Sequence, residues 1–220
     1  MSEAEFLQEL ATRTDIAVLE LGTRRSRPDV PTHHRGWCHP SAKFVMSDFQ
    51  DGLDVDVLAD IHALHRVFAE NSFDVIICCS VFEHVQRPWI AACEMARVLK
   101  PGGMIFLQTH QSFPLHGFPT DYWRFTTDSL RTLFEDAGLR TVETRYLFPA
   151  QIVSEQDPGG RHHPAFLNVN ILATKPTPWH LTVNVLAPRP RAWRSAGRWR
   201  VNLRGLKTGL RSLARRLRIG

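Results

Sequence analysis

Short apolar runs alternate along the chain with segments whose apolar residues recur at helical spacing, which predicts an α/β domain with a mostly parallel sheet. The runs predicted as strands cover residues 16–22, 43–49, 55–60, 73–80, 103–109, 141–148 and 165–174. Predicted helices are residues 5–12, a segment from Pro88 to Pro101 with Trp89, Ala92, Cys93, Ala96 and Leu99 on one face, and a segment in which Leu130, Leu133, Phe134 and Ala137 share a face. The predicted strands and helices thus alternate along most of the chain.

Charge is distributed very unevenly over the 220 residues, whose formal net charge is +5. All 22 acidic residues lie within residues 1–157, together with 14 of the 27 Lys and Arg, whereas residues 158–220 hold 13 basic residues and no acid. Pro188 and Pro190 interrupt regular structure between the two parts. We therefore predict an acidic domain over residues 1–187 and a basic tail over residues 188–220.

Leucines in the tail recur at spacings of 3, 4, 3 and 4, at Leu203, Leu206, Leu210, Leu213 and Leu217. On a helix they form one narrow seam flanked by arginines, which suits an anionic membrane surface over residues 200–219. Docking on the acidic domain, a coiled-coil partner and nucleic acid are the alternatives. Nucleic acid is the least favoured, because few aromatic residues accompany the charges.

No apolar run approaches the roughly 20 residues that cross a bilayer, and the acidic N-terminus is unlike a signal peptide. None of the four cysteines is in a C-x-x-C pair, so reduced thiols are expected at Cys38, Cys78, Cys79 and Cys93. These features predict a cytoplasmic protein, which the membrane hypothesis for the tail would place at the inner face of the membrane.

Ligands of open α/β sheets bind outside the carboxyl ends of the strands, and chemically informative residues stand at those positions here. Glu20 and Gly22 end the first predicted strand, and a glycine lets a ligand approach the backbone. Asp48 ends the second, where a carboxylate can accept both hydroxyls of a ribose. Asp60 and Ile61 end the third, offering an acceptor and an apolar face for an adenine. The segment from Ser80 to His84 ends the fourth, beside the reacting group.

With the strings VLELG, FVMSDF, VLADIHAL, FDVIICCSVFEHV and RVLKPGGMIF in this order, the chain resembles the class I S-adenosylmethionine-dependent methyltransferases with a methyltransferase-11-type domain. The resemblance implies a Rossmann-like, doubly wound sheet of seven strands with the last strand antiparallel, and S-adenosylmethionine as the cofactor. The candidate cofactor-binding residues are Glu20, Gly22, Arg24, Asp48, Asp60, Ile61 and Ser80.

The first loop departs from the family's usual G-x-G-x-G, because Gly22 is followed by Thr-Arg-Arg-Ser. Arg24 or Arg25 could still hold the methionine carboxylate of the cofactor with a fork of donors. Loss of cofactor binding is the competing hypothesis, under which Asp48 and Asp60 would be ordinary loop or helix-cap carboxylates.

The later string HGFPTDYWRFT resembles a loop of small-molecule and glycan methyltransferases. A hydroxyl acceptor needs a base, for which His116 and His84 are the catalytic candidates, with Asp121 orienting an imidazole. A turn residue at His116 and a structural histidine at His84 are the alternatives.

Glu83, Tyr122 and Arg124 are the candidate acceptor-binding residues, and Trp123 and Phe125 are expected in the core. No metal site is expected. In ubiquinone-pathway O-methyltransferases an E-x-x-E-H string binds a divalent metal at this place, whereas Ser80 replaces its first carboxylate here. The His and Cys residues at 33–39 lack structural-zinc spacing.

The sequence thus predicts a methyltransferase of the EC 2.1.1 class that methylates an oxygen of a small molecule or glycan. One alternative is a catalytically inactive methyltransferase-like binding module. Another is an N-methyltransferase acting on RNA or protein, which is less supported because no N/D-P-P-Y/F string follows the fourth strand.

Overall fold

The computed structural model describes residues 1–117, 119–153 and 163–179. The predicted tail, residues 188–220, and its candidate membrane segment lie outside the described residues. Within the described ranges, no helix is long and apolar enough to cross a membrane.

Seven strands and three α-helices make up the described part of the chain. In chain order they are α1 (Glu3–Thr12), β1 (Ala17–Leu21), β2 (Lys43–Asp48), β3 (Val57–Leu58), β4 (Phe73–Cys79), α2 (Pro88–Val98), β5 (Leu99–His110), α3 (Thr127–Asp136), β6 (Arg140–Ile152) and β7 (His163–Thr174). The strand order is β3-β2-β1-β4-β5-β7-β6. The first five strands pair in parallel, and β7 is antiparallel to both β5 and β6. The predicted seven-stranded sheet with an antiparallel last strand is therefore confirmed.

Strand β4 lies at the centre of the sheet because its run of apolar residues has no polar face. Ile76 belongs to the apolar cluster that packs α2 and α3 on one face of the sheet. Val75 and Ile77 belong to the cluster that holds α1 on the other face. Helix α1 buries Phe6 there, stacked on Phe106 of β5 with ring centroids 5.6 Å apart.

Two element boundaries differ from the sequence prediction. Strand β3 is limited to two residues, because the Asp56 carboxylate accepts the Met46 N–H (2.9 Å) and a turn begins at Asp60. Helix α2 ends at Val98, and Leu99 already belongs to β5, where it pairs with Phe73. The Pro-Gly-Gly segment therefore lies inside a strand instead of ending a helix.

Trp89 does not share the buried face of α2, contrary to the prediction. It stands in the first turn of the helix, is 42% exposed, and packs edge-to-face on Trp123 with ring centroids 6.3 Å apart. The helix is buried through smaller residues such as Ala92 and Met95.

A buried lysine fixes the chain just after β7. The Lys175 ammonium donates to the Leu99 carbonyl (2.7 Å) and to Asn71 Oδ1 (2.8 Å), and it lies 4.0 Å from the centre of the Trp179 ring. Burial lowers the pKa of Lys175. Asn71 lies just before β4, and Leu99 is the first residue of β5. The Lys175 side chain therefore joins the segment after β7 to the amino ends of β4 and β5.

Candidate active site

Gly22 follows β1 at the point where the first loop leaves the sheet. Its φ is +82°, and a Cβ built on it would lie 2.1 Å from Cγ2 of Val81, in the segment that follows β4. Its N–H donates to the Ser47 carbonyl of β2 at 2.8 Å. Only glycine fits this position, so the carboxyl ends of β1, β2 and β4 meet around a backbone that a ligand can approach.

Asp48 and Asp60 stand at the ends of β2 and β3, as predicted. Asp48 is half-buried and accepts backbone N–H bonds from Arg24 (3.2 Å) and Gln50 (3.0 Å). Asp60 is exposed and accepts the N–H of His62 at 2.9 Å and its ring Nδ1 at 2.8 Å. These bonds orient both carboxylates and leave them facing solvent at the same edge of the sheet.

Hydrogen-bond acceptors at this edge suit the adenosine part of S-adenosylmethionine. A carboxylate can accept two ribose hydroxyls while keeping its backbone bonds, since it has about four lone-pair sites. Ile61 is half-buried beside Asp60 and offers an apolar surface. Together with the open backbone at Gly22, these residues fit the cofactor.

Glu20 is 3% exposed, and its carboxylate is occupied by one residue of the following loop. Glu20 Oε2 accepts the His34 N–H (2.8 Å), and Oε1 lies 2.6 Å from His34 Nδ1. The His34 ring in turn packs on Trp37, with centroids 4.1 Å apart. Glu20 thus attaches the loop after Gly22 to strand β1, and its carboxylate is already bound to His34.

Two adjacent arginines of this loop, Arg24 and Arg25, differ in the donors that they can offer to a ligand. Arg25 forms a bidentate pair with Asp54 (2.7 and 3.0 Å) and donates to the Pro28 carbonyl, and the bond to Asp54 raises its pKa. Arg24 is exposed and has one bond from its side chain, from Nε to the Asp51 carbonyl at 3.1 Å. Arg24 is therefore the arginine whose guanidinium can reach a ligand.

Ser80 redirects the chain at the end of β4. It is exposed, its φ is +56°, and its N–H donates to the Gln108 carbonyl of β5 at 2.8 Å. A 3₁₀ turn over Phe82–His84 follows and carries Glu83 into the protein, where its side chain is fully buried. The turn places Glu83 and His84 at the carboxyl end of β4, beside the end of β5.

Glu83 is held by the last two residues of β5. Its Oε2 accepts the hydroxyl of Thr109 at 2.6 Å. His110 Nε2 lies 3.0 Å from Oε1, close enough for an ion pair, although the N–H is not directed at the oxygen and Oε1 accepts no hydrogen bond from the described residues. Burial raises the pKa of Glu83, but the contacts with His110 and Thr109 outweigh burial and bring the pKa below its usual value.

His110 is itself fixed on two sides. Its Nδ1 lies 3.0 Å from Asn168 Oδ1 of β7, and its ring stacks on Phe113 with centroids 4.0 Å apart. Burial lowers the pKa of His110, but Glu83 and Asn168 raise it above its usual value. The site therefore contains a buried carboxylate and an imidazole that favour opposite charges.

His84 and His116 come together although 32 positions separate them in the sequence, with ring centroids 4.8 Å apart. His84 Nδ1 lies 2.6 Å from the Thr120 carbonyl, and His116 Nδ1 lies 3.1 Å from the Pro114 carbonyl. A carbonyl oxygen can only accept, so in each ring Nδ1 is the donor and Nε2 is the nitrogen directed away from the carbonyl. His84 Nε2 lies 3.8 Å from Glu83 Oε1.

Asp121 and Arg124 fold the loop that carries His116. Arg124 binds both carboxylate oxygens of Asp121, with Nη2 to Oδ2 at 2.8 Å, and donates to the carbonyls of Phe113 and Pro114. Asp121 accepts the His116 N–H (3.0 Å), and its Oδ2 lies 3.5 Å from His116 Nδ1. The bonds from Arg124 hold the pKa of Asp121 well below its usual range.

Of the neighbouring aromatic residues, Phe125 is buried, as predicted. Trp123 was also expected in the core, but it is 38% exposed and packs on the exposed Trp89. Tyr122 is 45% exposed. The backbone N–H groups of Tyr122 and Trp123 donate to the Glu83 carbonyl (2.8 and 3.1 Å), so the loop is attached directly to the 3₁₀ turn.

An open cleft of about 500 Å³ adjoins this loop. Phe113, Pro114 and Arg124 line one side, and Gln151 and Leu167 of the hairpin formed by β6 and β7 line the other. Phe113 also stacks on His110, so the cleft is next to the imidazole cluster. Gln111, which directly follows β5, also lines the cleft.

Thr109, His110, Asn168 and His34 were not identified from the sequence. His110 is the last residue of β5, so its position at a strand end was the available signal. Asn168 and His34 reach their carboxylate or imidazole partners from other segments, and no local spacing indicates those contacts.

Comparison with known proteins agrees with this geometry. A family model described as a methyltransferase domain matches residues 39–107. An uncharacterized methyltransferase of Mycobacterium tuberculosis is 50% identical over 40 residues, which are 18% of this chain and 16% of that protein. A Mycobacterium avium relative is 48% identical over 40 residues. The chain thus spans less than a fifth of the length of these curated relatives.

Solved structures share the fold over about four fifths of the chain. A protein of Bacillus halodurans C-125 has a TM-score of 0.59 at 17% identity, covering 80% of this chain and 100% of that one. A SAM-dependent methyltransferase from Archaeoglobus fulgidus has a TM-score of 0.54 at 15% identity, covering 78% and 90%. With these shared folds and the methyltransferase-domain match over residues 39–107, the chain is similar to the class I S-adenosylmethionine-dependent methyltransferases, and S-adenosylmethionine is the cofactor that this similarity leads us to expect.

Proposed function

We propose that this domain transfers a methyl group from S-adenosylmethionine to an oxygen atom of a small molecule or glycan. The observation that carries the proposal is the pair of half-buried imidazoles, His84 and His116, where His116 packs on Phe113 and Phe113 lines an open cleft of about 500 Å³. The cofactor, when bound, supplies a methyl group on a positively charged sulfur, which is already activated for transfer.

The cofactor side of the site is proposed to consist of Gly22, Asp48, Asp60 and Ile61, with Arg24 near the methionine carboxylate. Asp48 and Asp60 have acceptor capacity left at the solvent edge, as described above. Alignment of acceptor and methyl group is then the main contribution of the protein, and positioning of this kind can supply on the order of 7–11 kcal/mol.

His116 is proposed as the base that removes the hydroxyl proton. Its Nδ1 proton is directed to the Pro114 carbonyl, so Nε2 can accept a proton. Asp121, whose Oδ2 lies 3.5 Å from Nδ1, would stabilise the positive ring that results. A base in this role contributes about 10²–10⁴ in rate.

Calorimetric titration of the full chain with S-adenosylhomocysteine tests the cofactor site. We expect one site in the wild type and weaker binding in Asp48→Ala. Asp51→Ala is the matched control, because its carboxylate accepts only the neighbouring Gly52 N–H in the described contacts. Absence of binding to the wild type would overturn the proposal.

A second candidate function, a binding module without methyl transfer, is favoured by one observation. Arg25 and Asp54 close the loop after Gly22 where the family has glycines. The same titration decides between the two candidates, since a module that has lost the cofactor gives no heat.

Turnover can be followed by release of S-adenosylhomocysteine with a panel of phenols and hydroxyl-bearing sugars. His116→Asn should lower the rate by about 10²–10⁴. His39→Asn is the control, because that histidine lies in the loop before β2 and contacts Ser41. Equal loss in both variants would contradict the role of His116.

A further inference from the structure

We infer that Glu83, His84 and His116 form a binding site for one divalent transition-metal cation, of which Zn²⁺ is the best match to the donors. Each of the three residues offers one ligand atom, and these atoms all lie within 4.8 Å of one another. The inference departs from the sequence expectation, in which Ser80 removes the first carboxylate of the string. The third ligand comes instead from the loop after β5, at His116.

The donor set has the composition of a known kind of site. Two imidazoles with one carboxylate are typical of catalytic zinc centres and of other divalent first-row metals, and they leave coordination positions for water or substrate. Mg²⁺ and Ca²⁺ prefer oxygen ligands, so the two imidazoles argue against them.

A buried oxygen without a hydrogen bond supplies the second, independent observation. Glu83 is fully buried, and its Oε1 accepts no directed hydrogen bond from the described residues, although His110 Nε2 lies 3.0 Å away at ion-pair distance. A cation would supply a directed partner for this buried acceptor. The same oxygen is 3.8 Å from His84 Nε2, so it faces the other proposed ligands.

The three proposed ligand residues have the hydrogen bonds that orient metal-binding residues in known sites. Histidine ligands usually donate the proton of the second ring nitrogen to a carbonyl or carboxylate, which directs the lone pair of the first toward the metal. His84 does so to Thr120 and His116 to Pro114. Glu83 is oriented in turn by the hydroxyl of Thr109.

The required movement is small. With ligand distances of about 2.0–2.2 Å, the ligand atoms of a tetrahedral site lie about 3.4 Å apart. His116 is on a loop and is the more exposed of the two histidines, at 22% against 14% for His84. An inward shift of His116 by about 1–1.5 Å would complete the site.

The inference that the site binds a cation does not depend on methyl transfer. Its consequence for catalysis does rest on the proposed function. A cation would lower the pKa of a coordinated acceptor hydroxyl, and His116 would then act as a ligand instead of a base.

The test is calorimetric titration of chelator-treated full chain with Zn²⁺. Wild type should bind one more equivalent than His116→Ala and Glu83→Gln, or bind it at least 10-fold more tightly. His65→Ala is the matched control, because His65 pairs with Glu94 at 2.6 Å outside the cluster, and it should bind like wild type. Thermal unfolding establishes that each variant is folded, and Glu83→Gln keeps the shape of the side chain.

Co²⁺ provides a second measurement, because Co²⁺ bound by few ligands absorbs visible light. We expect a band in wild type and His65→Ala that is weakened in His116→Ala and Glu83→Gln. Identical Zn²⁺ binding and Co²⁺ spectra in wild type and both site variants would overturn the inference. Titration with S-adenosylhomocysteine in the presence of chelator measures the cofactor site separately, so failure of one proposal is distinguishable from failure of the other.

Discussion

Replacement of Gly22 by alanine tests the account of the strand-end geometry. Two costs are expected, and the structure separates them. The left-handed conformation, with φ at +82°, costs an L-residue about 1–2 kcal/mol. The overlap of the new Cβ with Val81 Cγ2, at 2.1 Å, adds an overpacking cost of about 1–3 kcal/mol. Gly22→Ala should therefore lower the free energy of unfolding by about 2–5 kcal/mol.

A double-mutant cycle with Val81→Ala isolates the overlap. Val81 Cβ would lie 3.5 Å from the new Cβ, an ordinary contact, so truncating Val81 removes the overlap and leaves the conformational cost. The single change Val81→Ala should cost about 1–2 kcal/mol for two methyl groups. The double variant should be more stable than the sum of the single effects by about 1–3 kcal/mol.

Gly102→Ala is the matched control for the backbone term, because its φ is +79° and nothing lies within 4 Å of an added Cβ. It should cost about 1–2 kcal/mol alone. The measurement is urea unfolding followed by circular dichroism, with a common m-value. Additivity of Gly22→Ala and Val81→Ala within about 0.5 kcal/mol would refute the overlap argument.

Three further predictions concern groups away from the candidate site. Burial raises the pKa of Asp74, but Lys100 (2.7 Å) and other contacts outweigh burial and bring the pKa below the usual 3.8. The ionised carboxylate therefore stabilises the fold above pH 3.8, and this stabilisation is lost as the pH falls. Asp74→Asn should cost about 1–2 kcal/mol at pH 7 in urea unfolding, and a difference that persists at pH 2 would contradict this. Lys175→Met should cost about 1–3 kcal/mol, because the Leu99 carbonyl loses its donor; thermal unfolding checks it, and an unchanged midpoint would count against it. Burial raises the pKa of Cys38 to about 11, so the folded protein at pH 8 should lose little Ellman reactivity in Cys38→Ser, and a large loss would show an ionised thiol.

Much of the fold could be predicted from the sequence because local patterns determine it. From Val75 to Cys79 strand β4 is an uninterrupted apolar run, and such a run is stable only in the middle of a sheet. Asp48 and Asp60 were recognised as strand-end positions because polar residues close to the ends of apolar runs mark such ends; Asp48 is the last residue of β2, and Asp60 lies two residues beyond β3. The extra length of β6 and β7 was missed because its added residues are mostly exposed and lack the apolar signal.

The candidate site was less predictable because its contacts join distant segments. His110 and Asn168 meet only because β5 and β7 pair antiparallel in one register. Arg124 was expected to face an acceptor, and its guanidinium is bound to Asp121 and three carbonyls of its own loop. Charge and position alone do not distinguish an arginine that orders a loop from one that binds a ligand.

The place of β7 between β5 and β6 has a consequence for synthesis on the ribosome. Strands β1 to β5 can assemble as soon as residue 110 has left the exit tunnel, but the outer edge of β5 stays unpaired until β7 is made. That edge includes Ile105 and Leu107, so a nascent chain paused before residue 163 presents an open apolar strand to other chains. Chaperone dependence during translation should therefore be greatest between completion of β5 and emergence of β7.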